Sequence, residues 1–148
     1  GIDIEPETVA RTAKAGGVIG LKETESVDRV TRIRELTDVP IFSGDDGLTW
    51  PMIALGAAGV VSVASNVIPA EVSAMVRAAL AGEMDAALAQ HERLADVFRV
   101  IFLEPNPQPI KAAMFLKGQL PSDAVRLPMV RCGDEVRAKL EAILSTLS

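Results

Sequence analysis

A chain of 148 residues that is 49% hydrophobic can build one domain with a sizeable core, or one small domain plus an appendage. A net charge of -5, with 15 Lys and Arg against 20 Asp and Glu and no basic cluster, excludes a nucleic-acid surface. The single cysteine, Cys132, excludes an internal disulfide, suits a reducing cytoplasm and reads as an incidental thiol.

In chain order, Glu5-Pro6-Glu7 opens a helix, because proline is favoured in the first turn and acidic residues complement the dipole there. Gly16-Gly17 stop it. The run Gly17-Val18-Ile19-Gly20-Leu21 then leads into Lys22-Glu23-Thr24. A short apolar run bounded by glycine is expected to be a strand buried on both faces, with Lys22 at its C-terminal end. In α/β architectures that end is where chemistry collects. A lysine seated among apolar groups loses solvation of its charged form and offers a neutral, nucleophilic amine that condenses with a carbonyl to a Schiff base. A strand-end lysine that reaches out to solvent, or pairs with Glu23, fits the same residues.

Val27, Val30, Ile33 and Leu36, with charged residues between them, predict an amphipathic helix. Val39–Ser43 is a second strand, ending in Gly44-Asp45-Asp46-Gly47, where the two aspartates also suit turn and helix-cap chemistry. Trp50–Leu55 is a short helix, and Gly59–Asn66 a third apolar strand with a polar end. Strand and helix alternate at roughly twenty residues per unit, the rhythm of βα units with parallel strands. Residues 47–70 carry no charge, but Pro51, Gly56, Gly59, Asn66 and Pro69 interrupt them, so no membrane span is expected.

Beyond Asn66 the pattern is helical: Pro69–Leu80, Met84–Leu103, Ile110–Gly118 and Asp134–Leu147, with a rigid turn at Pro105, Pro107 and Pro109 and an extended Arg126–Met129. The organisation is therefore α/β over residues 1–66 and all-helical over 67–148. Lone His91 has no second ligand at metal spacing and reads as a packing residue, so no metal site is expected. Lys111 reads as a structural salt bridge and Trp50 as core or rim. Three parallel strands leave two open edges, the chain opens Gly1-Ile2-Asp3 without Met, and it holds no Tyr. The expectation is that further strands lie upstream.

Five pieces in order carry a resemblance over essentially the whole chain: residues 18–23, 43–46, 59–66, 104–111 and 126–129. On these the chain resembles the C-terminal half of the dihydrodipicolinate synthase / N-acetylneuraminate lyase family of pyruvate-dependent class I aldolases. The resemblance implies strands six to eight of a (β/α)8 barrel followed by a helical extension, and a homotetramer for the intact protein. It implies that Lys22 is the Schiff-base nucleophile, that Val61 lies against pyruvate and holds it through its backbone, and that Gly44 and Asp45 line the barrel mouth. The partners implied are pyruvate and an aldehyde, aspartate semialdehyde in the synthase branch; no cofactor is implied. The family's proton-shuttling tyrosine, its threonine relay and its substrate arginine would all lie upstream, so these 148 residues alone are expected to be inactive. A sugar-acid aldolase such as a sialic acid lyase, or a non-catalytic associating module, remain the competing readings.

Overall fold

The computed structural model describes residues 3–147. Helix α1 (Pro6–Ala15) leads to strand β1 (Leu21–Glu23), α2 (Val27–Leu36), β2 (Ile41–Ser43), α3 (Thr49–Ala54) and β3 (Gly59–Val60). Four helices follow: α4 (Pro69–Leu80), α5 (Met84–Val100), α6 (Gln108–Leu116) and α7 (Asp134–Ser145). The strands form one parallel sheet in the order β1-β2-β3. Among the described residues no helix is long and apolar enough to cross a membrane.

The sheet's register decides which side chains share a face. Lys22 lies opposite Phe42, and Phe42 opposite Gly59; Glu23 lies opposite Ser43, and Ser43 opposite Val60. Paired residues point to one face of a sheet and their chain neighbours to the other. The Glu23–Ser43 face is covered by helices: Val30 and Ile33 of α2, Ile41 of β2 and Met52 and Ile53 of α3 form one apolar cluster. The opposite face is open, with Lys22 exposed. The expectation of strands buried on both faces is met on one face only, because the described residues supply helices to one side of the sheet.

Two strand boundaries also differ. Gly17–Gly20 lie outside the ladder, which begins when Leu21 N–H donates to the Pro40 carbonyl at 2.8 Å. The third strand ends at Val60, and Ala64–Asn66 is a 3-10 turn. Carboxylate bonds to Val63 and Ala64 draw this backbone away from the sheet direction.

The helices of the second half pack on a larger core that includes Ile68, Val72 and Met75 of the α4 region, Leu94 and Phe98 of α5, and Leu140 of α7. Its long connections are held by polar bonds. Both Glu104 carboxylate oxygens accept from Gly133 N–H at 3.1 Å, and buried Asp123 pairs with Arg137 and, at 3.4 Å, with Arg131. Lys111 donates to the Ala124 carbonyl, so the salt bridge expected there is instead a hydrogen bond that fastens the loop after α6. Leu127 and Pro128 form a turn rather than an extended run, with Met129 N–H bonded to the Arg126 carbonyl at 3.1 Å.

Leu94 is fully buried in this core. Leu94→Ala is expected to lower the unfolding free energy by about 2–5 kcal/mol through lost burial and the cavity left behind. Leu127→Ala, at an 88% exposed position, should change it by no more than about 0.5 kcal/mol. Urea unfolding midpoints at equal m-value measure both.

Candidate active site

The C-terminal ends of the three strands bring three loops together. From β1 comes Lys22, followed by buried Glu23. The Glu23 carboxylate turns to the helix side, where it accepts from Arg29 Nε at 3.1 Å and from Glu25 N–H at 2.8 Å. Arg29 also bonds Asp3 at 3.1 Å and the Ile4 carbonyl at 2.7 Å, so Glu23 is held in a fixed network. Glu23 therefore does not pair with Lys22. Among the described residues no ion pair includes Lys22.

From β2 comes Gly44, whose N–H donates to the Glu23 carbonyl at 2.6 Å. Its lack of a side chain is a spatial requirement. A Cβ there would lie 2.3 Å from Thr24 Cγ2 and 2.5 Å from Lys22 Cε, well inside contact distance. Lys22 and Thr24 thus cross directly over Gly44. Phe42 lies on the same open face as Lys22, its ring flanked by Gly20, where a Cβ would be 3.0 Å away, and by Gly59 at 3.5 Å. Nothing local in the sequence marks Phe42 and Thr24 as neighbours of Lys22.

From β3 comes Val61, half exposed, whose N–H donates to the Ser43 carbonyl at 2.7 Å. That bond occupies its donor, so a backbone contact to a ligand falls to the Val61 carbonyl oxygen. Strand alternation puts Val61 on the face of Gly59, Phe42 and Lys22.

The two aspartates after Gly44 have different tasks. Asp45 caps the 3-10 turn Asp46–Leu48: its Oδ1 accepts from Gly47 N–H at 2.8 Å and Leu48 N–H at 3.2 Å. Its carbonyl receives the hydroxyls of Ser43 at 2.7 Å and Thr49 at 3.0 Å. Asp45 also borders a hollow of about 340 Å³ together with His91, Phe98 and Arg99 of α5, and neither Lys22 nor Val61 is in its walls. Asp46 is 1% exposed and accepts the Ser62 hydroxyl at 2.5 Å, Val63 N–H at 2.9 Å and Ala64 N–H at 3.1 Å. Burial raises its pKa above the ordinary 3.8, against the pull of those three donors, and the Asp45 charge adds to the rise.

The His91 ring lies tilted between Trp50 and Phe98, with centroids 6.0 Å and 6.1 Å away, and burial lowers its pKa, which favours the neutral ring. Burial pushes the Cys132 thiol up to about 11, leaving little thiolate at neutral pH.

Comparison with known proteins decides the family. The model of the dihydrodipicolinate synthetase family matches residues 1–147. The chain belongs to that family. It is 46% identical over 148 residues to the 4-hydroxy-tetrahydrodipicolinate synthase of Sulfurihydrogenibium sp. (strain YO3AOP1), covering 97% of this chain and 50% of that protein. It is 43% identical, with the same coverage, to the synthase of Persephonella marina. The crystal structure of dihydrodipicolinate synthase from Aquifex aeolicus superposes with a TM-score of 0.93 at 38% identity, over 98% of this chain and 50% of that one. The chain thus spans about half the length of the family members it matches. Its three-stranded parallel sheet with following helices agrees with part of an unclosed barrel plus a helical extension.

Gly44→Ala should force the Lys22 stem and Thr24 aside and cost about 1–3 kcal/mol as overpacking. An unchanged urea midpoint would show that both side chains yield freely. The raised Asp46 carboxyl gives a second expectation. A group that holds its proton more tightly when folded stabilises the fold fully below its unfolded value and loses that contribution as pH rises through the folded value. The stability of the wild type relative to Asp46→Asn should therefore be greatest below pH 3.8 and decline above it, measured by urea unfolding across pH.

Proposed function

We propose that these 148 residues are the C-terminal half of a 4-hydroxy-tetrahydrodipicolinate synthase, an aldolase that condenses pyruvate with L-aspartate semialdehyde through a Schiff base on Lys22. Residues 1–66 would supply strands six to eight of a (β/α)8 barrel. Residues 67–148 would supply its last helix and the helical extension, and the intact protein would be a cytoplasmic homotetramer. The observation that carries the reading is the shared open face of Lys22, Phe42 and Gly44 at the strand ends, in a chain whose family relatives bear that name. Barrel closure would turn that face inward and exclude water from it.

The chemistry follows from the groups present. The Lys22 amine adds to C2 of pyruvate and water leaves, giving an imine whose protonated form withdraws electrons. The pyruvate methyl then loses a proton to give an enamine, and that carbon attacks the aldehyde. The Val61 carbonyl accepts from the protonated imine N–H that Lys22 forms with the 2-oxo acid, while Gly44 leaves room for the lysine stem. Asp45 borders the mouth with its capping carboxylate. Proton transfer and the second substrate's carboxylate need groups from the other half of the barrel. The relatives' name favours aspartate semialdehyde over a sugar acid. The exposed apolar face also favours a second behaviour for the isolated piece, self-association without turnover.

The test is borohydride reduction in the presence of pyruvate, applied to the full-length polypeptide carrying these residues and to the 148-residue chain alone. Intact mass should show one reduced pyruvate adduct on the full-length protein, and peptide mapping should assign it to Lys22. Lys22→Ala should abolish it, and the chain alone should form no product. An adduct on another lysine, or none on the full-length protein, overturns the reading.

A further inference from the structure

The bonds of Asp46 reach well beyond its own turn. Its carboxylate is buried, and all three of its donors lie 16 to 18 residues further along the chain. They are consecutive: Ser62 through its hydroxyl, Val63 and Ala64 through backbone N–H. The carboxylate therefore ties the loop after β2 to the segment that leaves β3. Val61 immediately precedes that segment and is held on its other side by the 2.7 Å bond from its N–H to the Ser43 carbonyl. The peptide carrying the Val61 carbonyl is thus fixed from both ends, by β2 before it and by Asp46 after it.

We propose that Asp46 is a positioning residue that aims the Val61 carbonyl at the 2-oxo acid bound on Lys22. This rests on the function proposed above and adds a residue to it. A carboxylate suits the task because three donors converge on two acceptor oxygens. An amide would keep one neutral oxygen for the Val63 and Ala64 N–H groups and turn its NH2 group to the Ser62 hydroxyl, so the charge that strengthens all three bonds is lost. The Ser62 hydroxyl extends the clamp: it accepts from Ser65 N–H at 2.8 Å, and the Ser65 hydroxyl donates to the Ser62 carbonyl at 3.2 Å. Loss of Asp46 therefore loosens the whole run from Val61 to Asn66, while Lys22 itself is unchanged.

The experiment measures borohydride trapping on Lys22 of the full-length polypeptide against pyruvate concentration, for the wild type, Asp46→Asn and Ser62→Ala. A positioning role predicts that Asp46→Asn raises the half-saturating pyruvate concentration roughly tenfold, while the rate at saturation changes less than about threefold. Ser62→Ala, which keeps the carboxylate, should shift half-saturation in the same direction by roughly threefold. Amide hydrogen exchange at Val61–Ser65 should speed up in both variants with α5 unchanged. A folded Asp46→Asn protein with wild-type half-saturation, or one that loses only the saturated rate, overturns the role. If Asp46→Asn does not fold, Ser62→Ala decides: wild-type half-saturation and exchange in that variant overturn it. Wild-type protein that takes no label overturns the function proposed for Lys22, and this role with it, whereas labelled wild type with unshifted variants overturns this role alone.

Discussion

A parallel sheet must be covered on both faces, and in this chain helices cover one. That single constraint organises the rest. Ile41, Val30, Met52 and their neighbours fill the helix side, and the ladder is anchored there. The other side presents Lys22, Phe42, the bare backbone of Gly44 and the half-exposed Val61. Groups that would be costly on an ordinary surface stand together at the strand ends, as expected of an α/β fold whose chemistry sits there.

Around that open face each carboxylate is occupied elsewhere. Glu23 is committed to Arg29, Asp45 caps its own turn, and Asp46 binds the segment after β3. Here the acidic side chains next to Lys22 in the chain and in space serve the scaffold, and the amine is left to the open face. The same arrangement makes the loops rigid: the Ser43–Thr49 turn satisfies its polar groups with its own hydroxyls and N–H donors.

The helices were legible from the sequence because their signals are local. Pro69–Leu80 has the expected boundaries, and of the Val27, Val30, Ile33 and Leu36 stripe expected in α2, Val30 and Ile33 are buried, Val27 is half-buried and Leu36 is exposed. The family was legible from five short motifs taken in order, and the matched family model covers the same residues. The strands were less legible. The apolar run from Val18 to Leu21 suggested a strand ending at Lys22, but pairing with β2 begins at Leu21 and includes Lys22 and Glu23. The run before it, up to Gly20, lies outside the ladder. The third strand, Gly59–Val60, is shorter than its apolar run because its end is set by Asp46, a partner distant in sequence. For the same reason Asp46 looked like ordinary turn chemistry, while for Asp45 that local reading was sufficient.

The central claim is that Lys22 meets a 2-oxo acid on the inner face of a closed barrel. A crystal structure of the full-length polypeptide grown with pyruvate tests it most directly. The account predicts continuous density from Lys22 Nζ to C2 of the ligand, the Val61 carbonyl against it, and Ile19 buried by further strands. Lys22 standing in bulk solvent with Ile19 still uncovered, or pyruvate bound at another residue, would contradict it.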